Sequence, residues 1–260
     1  MDAPLIYGAS GIGFIMETSF DQKRPIFAEM GNDLRSALVR DPAARSTFEV
    51  MMLYPGLHAI WLHRINHWLW NHGVKLFARW GSQLARGLTG IEIHPGAQIG
   101  SGFFIDHGMG VVIGETAIVG DEVTIYHGVT LGGTSLEKGK RHPTIDDRVT
   151  IGAGAKILGN IIIGADSRIG ANAVVVKSVP NNSVVVGVPG QIIRRTHPHL
   201  ATDAPDLNHS MLPDIFGVSI KDLIERVEQL ESGIKTHEDG KHHVHVHADD
   251  LSWDEIEFSI

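Results

Sequence analysis

Aliphatic residues recur every six positions through the middle of the chain. They are Ile93, Ile99 and Ile105, then Ile113, Val119, Ile125 and Leu131, then Ile145, Ile151, Ile157, Ile163, Ile169 and Val175. A period of six fits neither an α-helix nor the simple alternation of a strand. A fixed period is typical of repeat architectures, in which each unit buries its aliphatic residue only by stacking on its neighbours. The spacing therefore predicts a solenoid.

The repeat unit, aliphatic-Gly-x-x-small-x, predicts a parallel β-helix. A strand of about four residues and a short corner make one flat side, three sides close a triangular coil, and successive coils pair about 4.8 Å apart. The aliphatic residue then points into the prism. The glycine that follows it, as in Ile151-Gly152, is predicted to occupy a corner conformation that other residues resist. The periodicity does not determine the hand of the coil.

The period breaks twice, and interruptions of a solenoid are favoured places for function. The step from Ile105 to Ile113 is eight residues, so this segment contains two residues too many. The step from Leu131 to Ile145 is fourteen, two more than two hexads. The second break is polar and rich in glycine, and it predicts a loop over residues 132–144 that is extruded from the prism.

Composition narrows the classes of protein that the chain can belong to. The chain has 260 residues, 43% of them hydrophobic, which is enough for one repeat domain with helical flanks. The net charge of -8 argues against general nucleic-acid binding. Because cysteine is absent, disulfides and thiolate chemistry are excluded. A reducing cytoplasm is compatible with this composition but not demanded by it, and we expect a cytoplasmic protein. No stretch approaches the roughly 18 apolar residues of a membrane span, so we expect no membrane association.

The pattern along the chain predicts four regions. Residues 1–25 form an N-terminal extension, and residues 26–90 form a small α-helical domain of two to four helices, with Asp41 as a possible helix N-cap before Pro42. The β-helix covers residues 91–195. Residues 196–260 hold a linker, a short helix at about 218–234, a histidine-rich segment and a C-terminal tail. The short helix carries an apolar series with alternating spacings of three and four, which suits self-association.

Position distinguishes one histidine from the other fifteen. His107 stands in the first break, where the repeat gains nothing structurally from a histidine. Glu92 precedes it by about one coil, which would bring a carboxylate behind the imidazole and make it a general base for a hydroxyl. The alternative is a surface glutamate and a turn histidine that never meet. The remaining histidines that we considered are assigned to packing on the tryptophan-rich helices (His58, His63, His67, His72), to the first corner of the solenoid (His94) and to no definite role (His127).

Several motifs together carry a closer resemblance. They are Arg40-Asp41-Pro42-Ala43, Ile91 to Pro95, Ile105-Asp106-His107, Val112 to Thr116, Val129 to Thr134, Arg141-His142-Pro143 and Gly152 to Ile161. With these motifs the chain resembles the serine O-acetyltransferases, which are hexapeptide-repeat acyltransferases, over about residues 27–194. The resemblance implies a left-handed parallel β-helix preceded by an α-helical domain.

The resemblance also implies a reaction and its residues. Acetyl-CoA would acetylate the hydroxyl of L-serine directly, giving O-acetylserine for cysteine biosynthesis, with no metal required. His107 matches the family's base, and Glu92 matches its carboxylate partner, which is aspartate in many members. Two carboxylates match those that hold the substrate ammonium (Asp41, Asp106), and two loop residues match those that contact its carboxylate (Arg141, His142). From the residues alone, we would instead expect Asp41 to be only a helix cap and Arg141 one member of a solvated basic run.

Further expectations concern coenzyme A and protein partners. Small residues match positions that line the coenzyme A groove between adjacent subunits (Gly133, Thr134, Ala153, Ala171), although small residues also suit hexad packing. The shared site implies a homotrimer, which we expect rather than a hexamer. Ile260 matches the terminal isoleucine that family members insert into O-acetylserine sulfhydrylase, the alternative being an ordinary terminus. L-cysteine is the expected feedback inhibitor.

Two other functions remain open at this point. One is a hexapeptide-repeat acetyltransferase that acts on another hydroxyl or amine, such as a sugar, homoserine or an antibiotic. The other is a non-enzymatic β-helix scaffold in which His107, His127 and His142 bind metal between subunits. The histidines between His237 and His247 are dense enough to bind divalent metal, but acetyl transfer does not need it, and we interpret the segment as a solvated linker with incidental metal affinity.

Overall fold

The computed structural model of the chain describes residues 25–194, 220–221 and 223–230. Four helices come first, and they are α1 Ile26–Arg40, α2 Thr47–Leu53, α3 Pro55–Asn71 and α4 Lys75–Thr89. The strands follow as β1 Glu92–Ile93, β2 Gln98–Ile99, β3 Phe104–Asp106, β4 Val112–Ile113, β5 Ile118–Val119, β6 Thr124–Tyr126, β7 Thr130–Gly132, β8 Thr144–Ile145, β9 Thr150–Ile151, β10 Lys156–Leu158, β11 Ile162–Ile163, β12 Arg168–Ile169, β13 Val174–Val175, β14 Ser183–Val186 and β15 Gln191–Arg194.

The strands form three sheets that make the three sides of a prism. The first sheet has the order β1-β4-β7-β10-β13, the second β2-β5-β8-β11 and the third β3-β6-β9-β12-β14-β15. Every pairing is parallel except that of β14 with β15, which closes the far end of the third sheet. Residues of the repeat stack directly, as Ile93 on Ile113 and Ile113 on Leu131 do, and they are buried. The predicted β-helix, with about five turns, is confirmed.

The conformation predicted for the glycine after each aliphatic residue is wrong. The residue with a left-handed backbone comes two positions after that glycine, as Gly154 does after Gly152. This position also accepts other residues, such as Asn172. Gly152 is glycine for a different reason, which is close approach of the next coil. A Cβ built there would lie 2.6 Å from the backbone nitrogen of Ala171. Glycine at position 152 is therefore explained by the limited space beside the next coil rather than by a backbone dihedral angle.

The helical domain contains four helices, the upper end of the predicted range. Asp41 is not an N-cap, because it follows the last residue of α1 and its backbone N–H still bonds to the carbonyl of Ala37. Ser46 caps α2 instead, and its hydroxyl accepts a 3.2 Å hydrogen bond from the backbone N–H of Glu49. The turn between α1 and α2 frees the Asp41 carboxylate from capping a helix.

Helix α3 packs on the first coil of the β-helix. Ile60 lies in the same buried cluster as the prism interior. Arg64, itself buried, makes a bidentate ion pair with Asp33 of α1 at 2.7 Å and donates to the carbonyl of Gly100 at 2.9 Å. Burial raises the pKa of Asp33 despite the opposing effect of the Arg64 guanidinium. This buried network joins two helices to the first turn of the solenoid.

Helix α4 carries an exposed apolar stripe. Its members are Phe77, Trp80, Leu84 and Leu88, each at least half exposed. Residues 220–221 and 223–230 are helical and belong to a separate compact unit. Among the residues that the structure describes, no helix has both the length and the apolar character that spanning a bilayer requires.

Candidate active site

The first break in the repeat is an insertion of two residues, one of which is His107. Asp106 pairs with Tyr126 of the next coil, and the carbonyl of Met109 accepts a hydrogen bond from the backbone N–H of Gly128. Met109 therefore corresponds to His127, the one residue between Tyr126 and Gly128. His107 and Gly108 lie between Asp106 and Met109, so they have no counterpart in the next coil. The insertion lies at the corner between the third and first sheets, which we call the base corner.

The insertion holds the His107 imidazole outside the prism. Its backbone is left-handed, with φ of 59°, and its side chain is 75% exposed. The ring nitrogen Nε2 lies 3.9 Å from Oδ1 of Asp106, and the ring packs edge-to-face against that of His127 at 5.8 Å. Glu92 does not form an ion pair with His107, because its carboxylate contacts Arg86 at 3.2 Å. The predicted dyad of Glu92 and His107 is therefore not assembled in this structure.

Another predicted site residue, Asp41, lies near the base corner. The side chain of Arg40 donates to the carbonyl of Val123 and the hydroxyl of Thr124, which brings the end of α1 onto the third sheet. Next to it, Asp41 accepts a 2.5 Å hydrogen bond from the hydroxyl of Tyr54. This bond, with help from burial and from the charges of Asp41 and Asp106, raises the pKa of Tyr54 to about 12. Asp41 and Asp106, which are predicted to bind the substrate ammonium, thus both raise the pKa of Tyr54.

The second break lies at the next corner of the prism, between the first and second sheets. Leu131 belongs to the first sheet and Ile145 to the second, and other coils make this step in six residues. The fourteen-residue step is therefore one hexad with an eight-residue insertion rather than two hexads with two extra residues. We call this corner the loop corner. The segment between β7 and β8 contains no strand, and residues 133–140 are exposed.

Ionic and hydrogen-bonding contacts hold the end of this loop. The Lys140 ammonium donates to the carbonyls of Thr116 at 2.8 Å, His142 at 2.7 Å and Pro143 at 3.1 Å. Burial lowers the pKa of Lys140 to about 8. The Arg141 guanidinium pairs with Glu115 at 2.5 Å, which holds the pKa of that carboxyl below its usual range. The loop end is thereby tied to the preceding coil.

The His142 imidazole is buried against Thr116. Its Nδ1 lies 2.9 Å from the Thr116 hydroxyl and 3.2 Å from the Thr116 backbone N–H. Burial, followed by the charges of Arg141 and Lys140, lowers the pKa of His142 and favours the neutral ring. Beside it, His94 accepts from the backbone N–H of Gly96, which confirms its corner role, and burial lowers its pKa to about 4.

The predicted site residues divide between the two corners. The base corner carries His107, Asp106, Ala153 and Ala171, with Asp41 alongside, whereas the loop corner carries Gly133, Thr134, Arg141 and His142. From Gly128 at the base corner to Gly133 at the loop corner the chain advances five residues, which is roughly 16 Å at about 3.3 Å per extended residue. One small amino acid cannot touch both corners of the same chain.

Comparison with known proteins decides the family. Residues 142–177 match the model of the bacterial transferase hexapeptide, six repeats. The chain is 59% identical over 203 residues to the serine acetyltransferase of Mycobacterium tuberculosis, covering 78% of this chain and 87% of that protein. The chain belongs to the serine acetyltransferase family. A serine acetyltransferase of Synechococcus elongatus is 50% identical over 210 residues, covering 81% of this chain and 84% of that protein.

Solved serine acetyltransferases share the fold. The enzyme of Neisseria gonorrhoeae in complex with serine matches with a TM-score of 0.63 and 45% identity, covering 65% of this chain and 69% of that chain. A serine acetyltransferase in complex with cysteine matches with a TM-score of 0.64 and 42% identity, covering 65% and 70%. The resemblance drawn from the motifs is therefore confirmed.

Two residues that support the side chains of the site could not be found from the sequence. Tyr54 and Thr116 gave no signal, since each acts on a residue that is distant in sequence or across a loop. Two of the helix histidines make packing contacts, namely His63, which is buried, and His67, which bonds to the carbonyl of Pro95, whereas His72 is exposed. No group of three metal-ligating side chains occurs within residues 25–194 or the described helical residues beyond them. Ile260 and the histidine-rich segment lie outside the described residues.

Proposed function

We propose that this chain transfers the acetyl group of acetyl-CoA to the hydroxyl of L-serine, giving O-acetylserine and free coenzyme A. The observation that carries the proposal is the two-residue insertion at His107, which places an exposed imidazole beside Asp106 in a member of this family. Membership at 59% identity supports the choice of serine as acceptor. So does the gonococcal relative, which was solved in complex with serine.

His107 acts as the general base in this mechanism. Its imidazole takes the proton from the serine hydroxyl as the oxygen attacks the thioester carbon. The tetrahedral intermediate then collapses, the carbon–sulfur bond breaks, and the imidazolium returns the proton to the departing thiolate. The exposure of the ring supports this role, since both reactants must reach it from solvent.

Glu92 serves as the carboxylate partner of His107 in the loaded site. In the structure its carboxylate is held by Arg86, so it must exchange that partner for the imidazole. The contact with Arg86 is partly exposed, and exposed ion pairs contribute little free energy, so the exchange is inexpensive. Asp106 is the nearest carboxylate to the ring in the structure, at 3.9 Å.

The zwitterion of serine is recognised by opposite charges on the two corners. Asp41 and Asp106 bind the ammonium, while Arg141 and His142 bind the carboxylate. Arg141 releases or shares Glu115 to do so, since its guanidinium has donors left over after one ion pair. Amino-acid selectivity therefore rests on both corners at once.

The assembly is a homotrimer in which the base corner of one subunit faces the loop corner of the next. The division of the site residues between the corners of one chain supports this arrangement. Coenzyme A then lies between subunits, along Ala153 and Ala171 on one side and Gly133 and Thr134 on the other. An assembly of copies also offers cover for the exposed apolar stripe of α4.

Mixed assembly tests the shared site. His107→Ala and Arg141→Ala are each expected to be inactive, but they damage different corners. Co-refolding the two variants should restore activity, because some interfaces then pair two intact corners. The shared site would be contradicted if the variants regained the same activity on mixing without refolding, or if they regained no activity after co-refolding. Light scattering that shows six subunits would contradict the trimer.

Regulation and partnership follow from the family. L-cysteine is proposed as a competitive inhibitor, in keeping with the relative that was solved in complex with cysteine. Ile260 is proposed to bind O-acetylserine sulfhydrylase through its side chain and free carboxylate. Deleting Ile260 should abolish co-elution with the sulfhydrylase while leaving acetyl transfer intact, and co-elution of the truncated chain would refute that role.

The function is tested by release of thiol from acetyl-CoA. The protein contributes no background to a thiol reagent, because it has no cysteine. We expect release that depends on L-serine, that is much weaker with L-homoserine, and that is lost in His107→Ala. His72→Ala is the matched control, since His72 lies on the surface at the end of α3. Equal release with homoserine would overturn the choice of serine, and an active His107→Ala would remove the base.

A further inference from the structure

Thr116 is the centre of the hydrogen bonds that hold the end of the extruded loop. Its hydroxyl oxygen accepts from the backbone N–H of Arg141 at 3.0 Å and from that of His142 at 3.1 Å. Both lone pairs of the hydroxyl are then used. The hydroxyl hydrogen remains, and the atom within reach is Nδ1 of His142, at 2.9 Å. The hydroxyl therefore donates to the ring.

These contacts determine the tautomer of His142. Nδ1 receives the Thr116 hydroxyl at 2.9 Å and the Thr116 backbone N–H at 3.2 Å. A nitrogen that accepts from two donors carries no hydrogen of its own. A neutral imidazole must then carry its hydrogen on Nε2. Thr116 thus leaves His142 with one N–H donor, on the nitrogen away from Thr116.

The Nε2 side of the ring faces space that two glycines provide. A Cβ built on Gly114 would lie 2.0 Å from Nε2, and one built on Gly133 would lie 3.2 Å from it. Glycine at both positions makes room for this edge of the imidazole. Gly133 is also one of the residues assigned to the coenzyme A groove, so the Nε2 edge lies beside the proposed groove.

We propose that Thr116 is a positioning residue for serine binding, because it fixes His142 as the neutral Nε2–H tautomer and so makes it a hydrogen-bond donor to the substrate carboxylate. The inference rests on the proposed function for the identity of the substrate. With the opposite tautomer, Nε2 would present a lone pair to a carboxylate, and the two would repel each other. The same hydroxyl seats the backbone of Arg141, so one residue positions both carboxylate ligands.

The kinetic test compares two substitutions of Thr116. Thr116→Val keeps the shape and loses the hydroxyl, whereas Thr116→Ser keeps the hydroxyl. We expect Val to raise the KM for L-serine about 10- to 100-fold, the effect of a lost hydrogen bond to a charged group. The KM for acetyl-CoA and kcat should change little, and Ser should behave nearly as the native residue. Equal effects of Val and Ser would overturn the proposal.

A matched control separates this effect from a general one. Thr144 begins β8 at the end of the same loop, and its side chain takes part in none of the hydrogen bonds of the described residues. Thr144→Val should leave the KM for serine unchanged. If Thr144→Val raised that KM as much as Thr116→Val, the effect would belong to the loop and not to the Thr116 hydroxyl.

The tautomer can be measured independently of activity. In protein with ¹⁵N-labelled histidine, the His142 signals are identified by their absence in His142→Gln. We expect Nε2 to carry the hydrogen and Nδ1 to have the shift of an unprotonated nitrogen at pH 7. An Nδ1–H tautomer or an imidazolium would overturn the inference even in an active enzyme. Native protein without serine-dependent thiol release would refute the proposed function, and the tautomer would still be tested.

Discussion

The hydroxyl of Tyr54 donates a 2.5 Å hydrogen bond to Oδ2 of Asp41, and the backbone N–H of Ala43 donates to Oδ1 of the same carboxylate at 2.8 Å. Each oxygen of Asp41 therefore has a donor that fixes its direction. A carboxylate held in this way is oriented before the substrate arrives, which reduces the ordering cost of binding.

Tyr54→Phe tests this orientation. Loss of the hydroxyl should raise the KM for L-serine about three- to ten-fold, the range expected for ~0.5–1.5 kcal/mol from one hydrogen bond. The kcat should be nearly unchanged, because the base is untouched. Steady-state kinetics gives both constants, and an ultraviolet titration should lose the tyrosine step near the pKa of about 12. An unchanged KM would show that Tyr54 does not prepare Asp41 for substrate.

Arg86 and Glu92 form the contact that must open for the proposed dyad. Glu92→Gln should lower kcat by about ten-fold or more, which is part of the ~10²–10⁴-fold that a positioned base supplies. Arg86→Gln removes the competing partner of Glu92 and should leave kcat unchanged or raised. If Glu92→Gln retained full kcat, Glu92 would be only the surface partner of Arg86, and Asp106 would be the carboxylate to test next.

Lys140 predicts an alkaline limit on serine binding. Its pKa is lowered to about 8, so the ammonium loses a proton as the pH rises through that value. The neutral amine has two N–H donors for three carbonyls, and one carbonyl then faces a lone pair. We expect the KM for serine to rise above about pH 8. Lys140→Arg keeps its charge and should not show this rise in KM. An identical rise in the variant would mean that another group causes it.

Two glycine substitutions are expected to change the stability of the fold in opposite directions. Gly152→Ala places a Cβ 2.6 Å from the backbone nitrogen of Ala171 and should destabilise the fold by about 1–3 kcal/mol. Gly87→Ala lies on the exposed surface of α4 with open space around it and should stabilise by ~1 kcal/mol. Denaturant unfolding measures both. Equal effects would mean that the coil contact at Gly152 relaxes without cost.

The fold could be predicted from the sequence because the repeat is local. Each hexad places Ile151 or Ile169 inside the prism by the same short-range geometry, and the breaks show in the spacing alone. The meaning of each break could not be found in this way. Whether fourteen residues hold two hexads or one hexad with a loop depends on which sheets Leu131 and Ile145 join, and that is a long-range property.

The candidate site shows the same division. His107 stood out because it interrupts a pattern, and Arg141 and His142 because they match a family motif. Thr116 fills an ordinary repeat position, and its function comes from a loop that folds back across 25 and 26 residues to reach its hydroxyl. Glu92 was placed near His107 by counting coils, but counting cannot tell that Arg86 on the preceding helix competes for it.

The insertion of His107 and Gly108 has a consequence for how such a protein can arise. Asp106 and Met109 already take the backbone positions that Tyr126 and His127 take in the next coil, so the pairing of the coils continues on both sides of the insertion. Two in-frame codons thus separate a plain hexad from one that bears an imidazole. In a stacked coil, chemistry can be gained or lost by inheritance of a short insertion while the architecture that supports it is passed on unaltered.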